Sequence, residues 1–135
     1  MNIGIIGGGV VGKATARCFM EYGEVRVHDV IPERRTHTIK ETLESDIVFL
    51  CLPTPRIPNT LTLNLTHIEL VCRVIKELNP TANLVLKSTV PIGTTRRLSE
   101  TYSLPNLVHS PEFLTARTAL IDAQLPSRNI IGQPS

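Results

Sequence analysis

Gly4-Ile5-Ile6-Gly7-Gly8-Gly9-Val10-Val11-Gly12 is the stretch whose reading decides the fold. Asn2 to Ile6 is short and apolar, as a buried strand requires, and Gly7, Gly9 and Gly12 fill the spacing G-x-G-x-x-G. An amphipathic run follows, with Val11, Ala14, Thr15, Cys18, Phe19 and Tyr22 on one helical face. Strand, glycine turn and helix in that order give the spacing its meaning. The first glycine permits a tight turn, the second lets a diphosphate approach the backbone, and the third lets the helix pack close to the strand. The helix N–H groups and its positive end would face the phosphates.

A second signal lies downstream. Val25 to His28 reads as a second strand, closed by Asp29, 22 residues after Gly7. A carboxylate there can accept hydrogen bonds from both hydroxyls of an adenosine ribose and repels a 2′-phosphate, which favours NAD over NADP. Arg34 and Arg35 follow closely, where the adenosine end of such a ligand would lie.

The remaining composition narrows the class. The chain has 135 residues, 41% hydrophobic and 19% charged, one globular domain's worth. A formal charge of +2 with only paired arginines (Arg34-Arg35, Arg96-Arg97) argues against nucleic acid as a partner. No apolar run approaches the ~20 residues of a membrane span. No leader of the secretory type is apparent, so the cytoplasm is the expected compartment. Three cysteines without metal-type spacing argue against a disulfide framework. Cys18, Cys51 and Cys72 fall at apolar helix or strand positions and read as small buried hydrophobes. His28, His37, His67 and His109 show no metal-ligand spacing, so no metal is expected.

Further along, Thr38-Ile39-Lys40-Glu41 has capping-box spacing and opens a short helix to Leu43. Asp46 to Leu52 is an apolar third strand, stopped by Pro53-Thr54-Pro55. Asn64 or Thr66 caps a helix with Ile68, Val71, Cys72, Ile75 and Leu78 on one side, ended by Asn79-Pro80. Leu84 to Lys87 is a fourth strand; Pro91 suits the first turn of a helix to about Tyr102. Asn106 to His109 and Asn129 to Gly132 read as fifth and sixth strands. Alternating strands and helices predict a Rossmann-type α/β fold, a doubly wound parallel sheet of six strands in the order 3-2-1-4-5-6. Ligand is then expected at the carboxyl ends of strands one and four, near the glycine turn, Pro53-Thr54-Pro55, Ser88-Thr89 and Ser110-Pro111-Glu112.

Four separated pieces, in order, carry a family resemblance: the glycine turn, Leu52-Pro53-Thr54-Pro55, Lys87-Ser88-Thr89-Val90-Pro91-Ile92-Gly93-Thr94-Thr95 and Ser110-Pro111-Glu112-Phe113-Leu114. Together they resemble the N-terminal NAD-binding domain of the UDP-glucose/GDP-mannose dehydrogenase family. The closing Pro126-Ser127-Arg128-Asn129-Ile130-Ile131-Gly132 is similar to that family's next strand. The resemblance implies oxidation of the C6 alcohol of a nucleotide sugar to a carboxylate with two NAD in succession. It places Gly7, Gly9, Val11 and Gly12 on the diphosphate and Asp29 on the ribose. Pro53, Thr54 and Thr89 would lie along the nicotinamide half. Thr89 and Glu112 match positions that help place or activate the water hydrolysing a covalent thioester. A carboxylate can serve as a base and a hydroxyl can hold a water in line. The structural alternatives are an N-cap for Thr89 and a dipole-stabilising carboxylate at a helix start for Glu112.

Departures from the family pattern are visible too. Ala116 stands where a second glutamate is usual, Val10 where an aromatic is common, and the connection from Asp29 to Asp46 is short. The family's central helix, on which its dimer commonly forms, and the C-terminal substrate domain with its nucleophilic cysteine are expected to be absent. Residues 1–135 are accordingly expected to be one dinucleotide-binding domain that binds NAD without turnover. A free-standing NAD(H)-binding sensor or regulatory module is the rival expectation.

Overall fold

The computed structural model describes residues 1–134. Five strands, β1 (Ile3–Ile6), β2 (Val25–His28), β3 (Ile47–Leu50), β4 (Asn83–Leu86) and β5 (Leu107–His109), form one parallel sheet in the order β2-β1-β3-β4-β5. Five helices accompany them: α1 (Val10–Phe19), α2 (Ile39–Leu43), α3 (Thr66–Leu78), α4 (Thr94–Tyr102) and α5 (Ala119–Gln124). The parallel α/β class is as expected, but the strand number and order are not. The residues expected as a sixth strand make only an antiparallel bridge, Gly132 to His109, beyond β5. The third strand lies beside β1 rather than outside β2.

The composition of the strands explains that placement. β3, Ile-Val-Phe-Leu, is apolar on both faces and needs cover on both, whereas β2 alternates valine with Arg26 and His28 and suits an edge. The short Asp29–Asp46 connection holds one 3-10 turn (Pro32–Arg34) and α2, and α2 packs across β1 and β2. The chain therefore crosses back over β1 and sets β3 down on its far side. The topological switch point lies between β1 and β3, not at strands one and four.

Two apolar clusters sandwich the sheet. One joins Ile6, Val48, Leu50, Leu84, Leu86 and Leu107 to α2, α3 and α4 through Leu43, Ile68, Cys72, Ile75 and Leu98. The other joins Ile3, Ile5 and Ala16 of α1 to Phe19 and Phe49, whose rings stack at 5.3 Å. Reversal of direction at β1 puts α1 on one face and α2 to α4 on the other, as right-handed crossovers demand.

Helix ends follow local chemistry. Thr38 and Glu41 form the expected capping box at α2. Asn64 supports the start of α3 by accepting the Thr66 N–H (2.9 Å), while Leu65 occupies the cap position. Asn79 ends α3 in the left-handed conformation, φ 45°. α4 starts later than Pro91, at Thr94, after Gly93 with φ 85°. The outer edge of β2 is covered by residues 36 and 37: both N–H groups donate to Val27 O, and Val27 N donates to Thr36 Oγ1.

Candidate functional site

At the carboxyl ends of β1 and β3 the sheet opens into a cleft of about 630 Å³. Its floor is the glycine turn. Gly7 has φ 102°, and a Cβ there would lie 2.2 Å from Cys51 O, so the turn presses against the exit of β3. A Cβ on Gly12 would lie 1.8 Å from Gly7 O, which fixes the first turn of α1 directly above β1. Gly9 is the reverse case: a Cβ there meets nothing within 4 Å. It is the N-cap of α1 and supplies no capping side chain. The leading N–H groups of a helix have no acceptor within it, so this open space faces unspent donors.

Asp29 sits at the end of β2, buried to 9% exposure. Its Oδ2 accepts Gly8 N at 2.6 Å and its Oδ1 accepts Ile31 N at 2.8 Å. Each oxygen keeps a further lone pair, so the carboxylate is fixed yet able to accept more. Val11 and Arg34 also line the cleft, Arg34 within the 3-10 turn beside Gly8.

The opposite wall comes from the ends of β3, β4 and β5. Leu52 N donates to Ser88 Oγ (3.0 Å) and Ser88 Oγ donates to Leu52 O (2.7 Å). Thr54 Oγ1 donates to Thr89 O (2.8 Å), and His109 Nε2 donates to Ser88 O (3.1 Å). These bonds tie three loops together, and Pro53, Thr54 and Thr89 all border the same cleft. Thr89 is not an N-cap, because α4 begins five residues later. Glu112 does not head a helix either: it borders the cleft and forms an ion pair with Lys87 Nζ. Lys87 Nζ also lies 3.4 Å from Ser110 Oγ. Ala116, in place of the family's second glutamate, is exposed.

The expected site residues Gly7, Gly9, Val11, Asp29, Pro53, Thr54, Thr89 and Glu112 thus border one cleft, and Gly12 supports its floor from behind. Sequence reasoning set Ser88 at the ligand edge and Lys87 in a family motif, but gave neither a role: Ser88 ties two strand ends and Lys87 pairs with Glu112. A single charge closing the apolar run Leu84-Val85-Leu86 was a readable sign for Lys87; no sequence signal marks Ser88 as the tie between strands.

Cys72 is buried, whereas Cys18 and Cys51 are half-buried, Cys51 at the edge of the cleft. Burial pushes the Cys51 thiol up to about 12, against weaker pulls from Lys87 and a Thr15 hydrogen bond. Burial, reinforced by Glu69, does the same for Cys72, to about 12 against the opposing Arg97. Cys18 is raised as well, again by burial. None is a thiolate at neutral pH, so none is poised as a nucleophile. Burial also draws the Lys87 ammonium below the ordinary lysine range, with Cys51 and Cys18 pulling the other way. Among the described residues no group of three or more His, Cys, Asp or Glu could hold a metal. No helix among them is long and apolar enough to cross a membrane.

A parallel sheet with a glycine turn at its switch point and a fixed carboxylate on the next strand end defines a Rossmann-type dinucleotide-binding domain. Residues 33–135, more than half of the chain, match the model of the UDP-glucose/GDP-mannose dehydrogenase family, NAD binding domain. The chain belongs to that family and is its NAD-binding domain. It is 36% identical over 110 residues to a UDP-glucose 6-dehydrogenase of Campylobacter jejuni, covering 81% of this chain and 28% of that protein. To a UDP-glucose 6-dehydrogenase of Streptococcus pneumoniae it is 29% identical over 161 residues, covering 98% and 41%. That alignment is longer than the chain, so the relative carries segments absent here. The ternary complex of a Pseudomonas aeruginosa GDP-mannose dehydrogenase superposes with a TM-score of 0.80 at 26% identity, over 98% of this chain and 41% of that one. The chain thus spans less than half the length of each of these relatives.

Proposed function

We propose that the cleft holds NAD with its diphosphate on the amino end of α1, and that the chain is the cofactor-binding part of a nucleotide-sugar 6-dehydrogenase. The observation that carries this reading is the contrast within the glycine turn. Gly7 and Gly12 are filled against protein, while the Gly9 position opens onto the helix end, where an anion finds N–H donors. Asp29 fits the ribose, since its two occupied lone pairs hold it still and two remain. Its charge repels a 2′-phosphate, which favours NAD over NADP. Arg34 borders the adenosine end.

When bound, NAD supplies the hydride acceptor. The chain's own residues orient it: Thr54, braced on Thr89 O, and Pro53 border the nicotinamide half. Thr89 and Glu112 stand on the wall where a water could be held for hydrolysis of a thioester intermediate of the family's reaction. Residues 1–135 are read as one dinucleotide-binding domain. Its own thiols are held protonated, so the nucleophilic cysteine and the pocket for the UDP- or GDP-sugar come from elsewhere. A homodimer is expected only where the family's central helix is present. Free thiols and small net charge fit a cytoplasmic protein that does not bind nucleic acid. The relatives named above are dehydrogenases, and no observation favours a sensor module instead.

Calorimetric titration of the purified chain with NAD and NADP tests the reading. NAD at about 100 times its Kd should stabilise the fold by about 2.7 kcal/mol. Folded protein that ignores millimolar NAD, or prefers NADP, would overturn it.

A further inference from the structure

We infer that the Lys87–Glu112 ion pair sets the relative affinity of this cleft for the oxidised and reduced forms of the dinucleotide. The inference rests on the cofactor placement proposed above. Asp29 follows β2 and Lys87 follows β4, three strand spacings apart in the sheet, about 14 Å. A dinucleotide anchored by its ribose at Asp29 and its diphosphate at the switch point must extend its other end over β3 and β4. That end is the nicotinamide, and it carries the only charge difference between NAD⁺ and NADH.

The pair is well placed to act on that difference. Its side chains are 9% and 19% exposed, so bulk solvent screens them weakly. Lys87 and Glu112 border both the cleft and a second cavity of about 520 Å³ on the α1 side of the sheet. The pair therefore stands between the cleft and that second cavity. The ionisable groups that act on Lys87, Cys51 and Cys18, are thiols whose pKa burial raises, so they stay neutral at physiological pH. The other titratable groups at the cleft, His28, Asp29, Arg34 and His67, belong to the β2 end and to the first turn of α3, while Asp122 and Arg128 border the second cavity on the pair's far side. With both charges present the nicotinamide meets a nearly neutral dipole. With one removed it meets a lone charge at close range, in a medium where charges a few ångströms apart count for far more than in water.

Titration of the chain with NAD⁺, NADH and ADP-ribose, each against parent protein, Lys87→Met, Glu112→Gln and the double variant, decides the matter. ADP-ribose lacks the nicotinamide and should bind all four alike. In Lys87→Met the ratio Kd(NADH)/Kd(NAD⁺) should rise several-fold, towards about tenfold, because the carboxylate is left alone with the cationic ring. In Glu112→Gln it should fall by a similar factor. In the double variant it should return to within about twofold of the parent, and Lys87→Arg should leave it unmoved. A tenfold change corresponds to about 30 mV in the potential of the bound two-electron couple. Should Lys87→Met not fold, Glu112→Gln and the double variant still give the sign and the reversal. Single variants that shift the ratio in the same direction, or leave it fixed while ADP-ribose still binds, would overturn the inference. A parent chain that binds none of the three ligands would overturn the cofactor placement instead.

Discussion

Replacing Gly12 and Gly9 separately by alanine asks whether the glycines of the turn do the two different jobs their surroundings assign them. A methyl on residue 12 would sit 1.8 Å from Gly7 O and 3.2 Å from Ile5 Cγ2, so α1 must lift off β1 by more than an ångström. Overpacking of this severity against backbone costs about 3 kcal/mol, offset by about 1 kcal/mol from the better helix propensity of alanine. The net loss of about 2 kcal/mol should lower Tm by roughly 5–8 °C in a domain of this size. NAD affinity should fall with it, because the helix end moves. A methyl on residue 9 meets nothing in the ligand-free protein. Gly9→Ala should therefore melt within a few degrees of the parent yet lose NAD affinity by tenfold or more, since the methyl occupies the diphosphate's approach. Thermal melts followed by circular dichroism and calorimetric NAD titrations read the two effects separately. Gly12→Ala with unchanged Tm, or Gly9→Ala with unchanged NAD affinity, would refute the reasoning.

Asp29→Asn should weaken NAD and narrow its advantage over NADP, measured by parallel titrations; an unchanged NAD/NADP ratio would remove Asp29 from the ribose. Ser88→Ala strips Leu52 N of its acceptor across the strand ends, and about 1–3 kcal/mol of stability should go with it in urea melts. The raised thiol pKa values of Cys51 and Cys72 predict a pH signature: the folded values lie above the unfolded ones, so their stabilising effect is complete below pH 9.0 and is lost as pH rises towards 12. Native protein should accordingly react sluggishly with iodoacetamide at pH 7.5 at Cys51 and Cys72, and urea should expose both. Rapid native alkylation would contradict the burial of Cys72 and the raised thiol pKa of Cys51.

The glycine turn, Asp29 and the three loop motifs were legible because each requirement is local: a tight turn, a strand-end carboxylate, a proline stop. Their convergence on one cleft was legible too, since parallel strands share a carboxyl edge. Strand order was not, although its cause lay in plain view. Arg26 and His28 mark β2 as an edge, and the uninterrupted Ile47 to Leu50 run demands an interior place. The expected 3-2-1 order weighed connection handedness without weighing which strand could bear exposure. The sixth strand failed because Ile130 and Ile131 remain exposed and only Gly132 pairs. α5 went unnoticed because its six residues are too few for periodicity to show, and Leu120, Ile121 and Leu125 stay largely exposed. The Lys87–Glu112 contact joins residues 25 positions apart, a distance over which no sequence pattern speaks.

The sheet's margins have a consequence for handling the protein. Threonine and histidine at positions 36 and 37 occupy the flank of β2, and the reciprocal bonds between His109 and Gly132, both 2.8 Å, occupy the flank of β5. Both flanks are thus denied to a neighbouring molecule that might stack there and seed fibrils. The β5 guard is a single residue pair, so trimming the chain ahead of Gly132 would strip it away and leave that edge open to pairing.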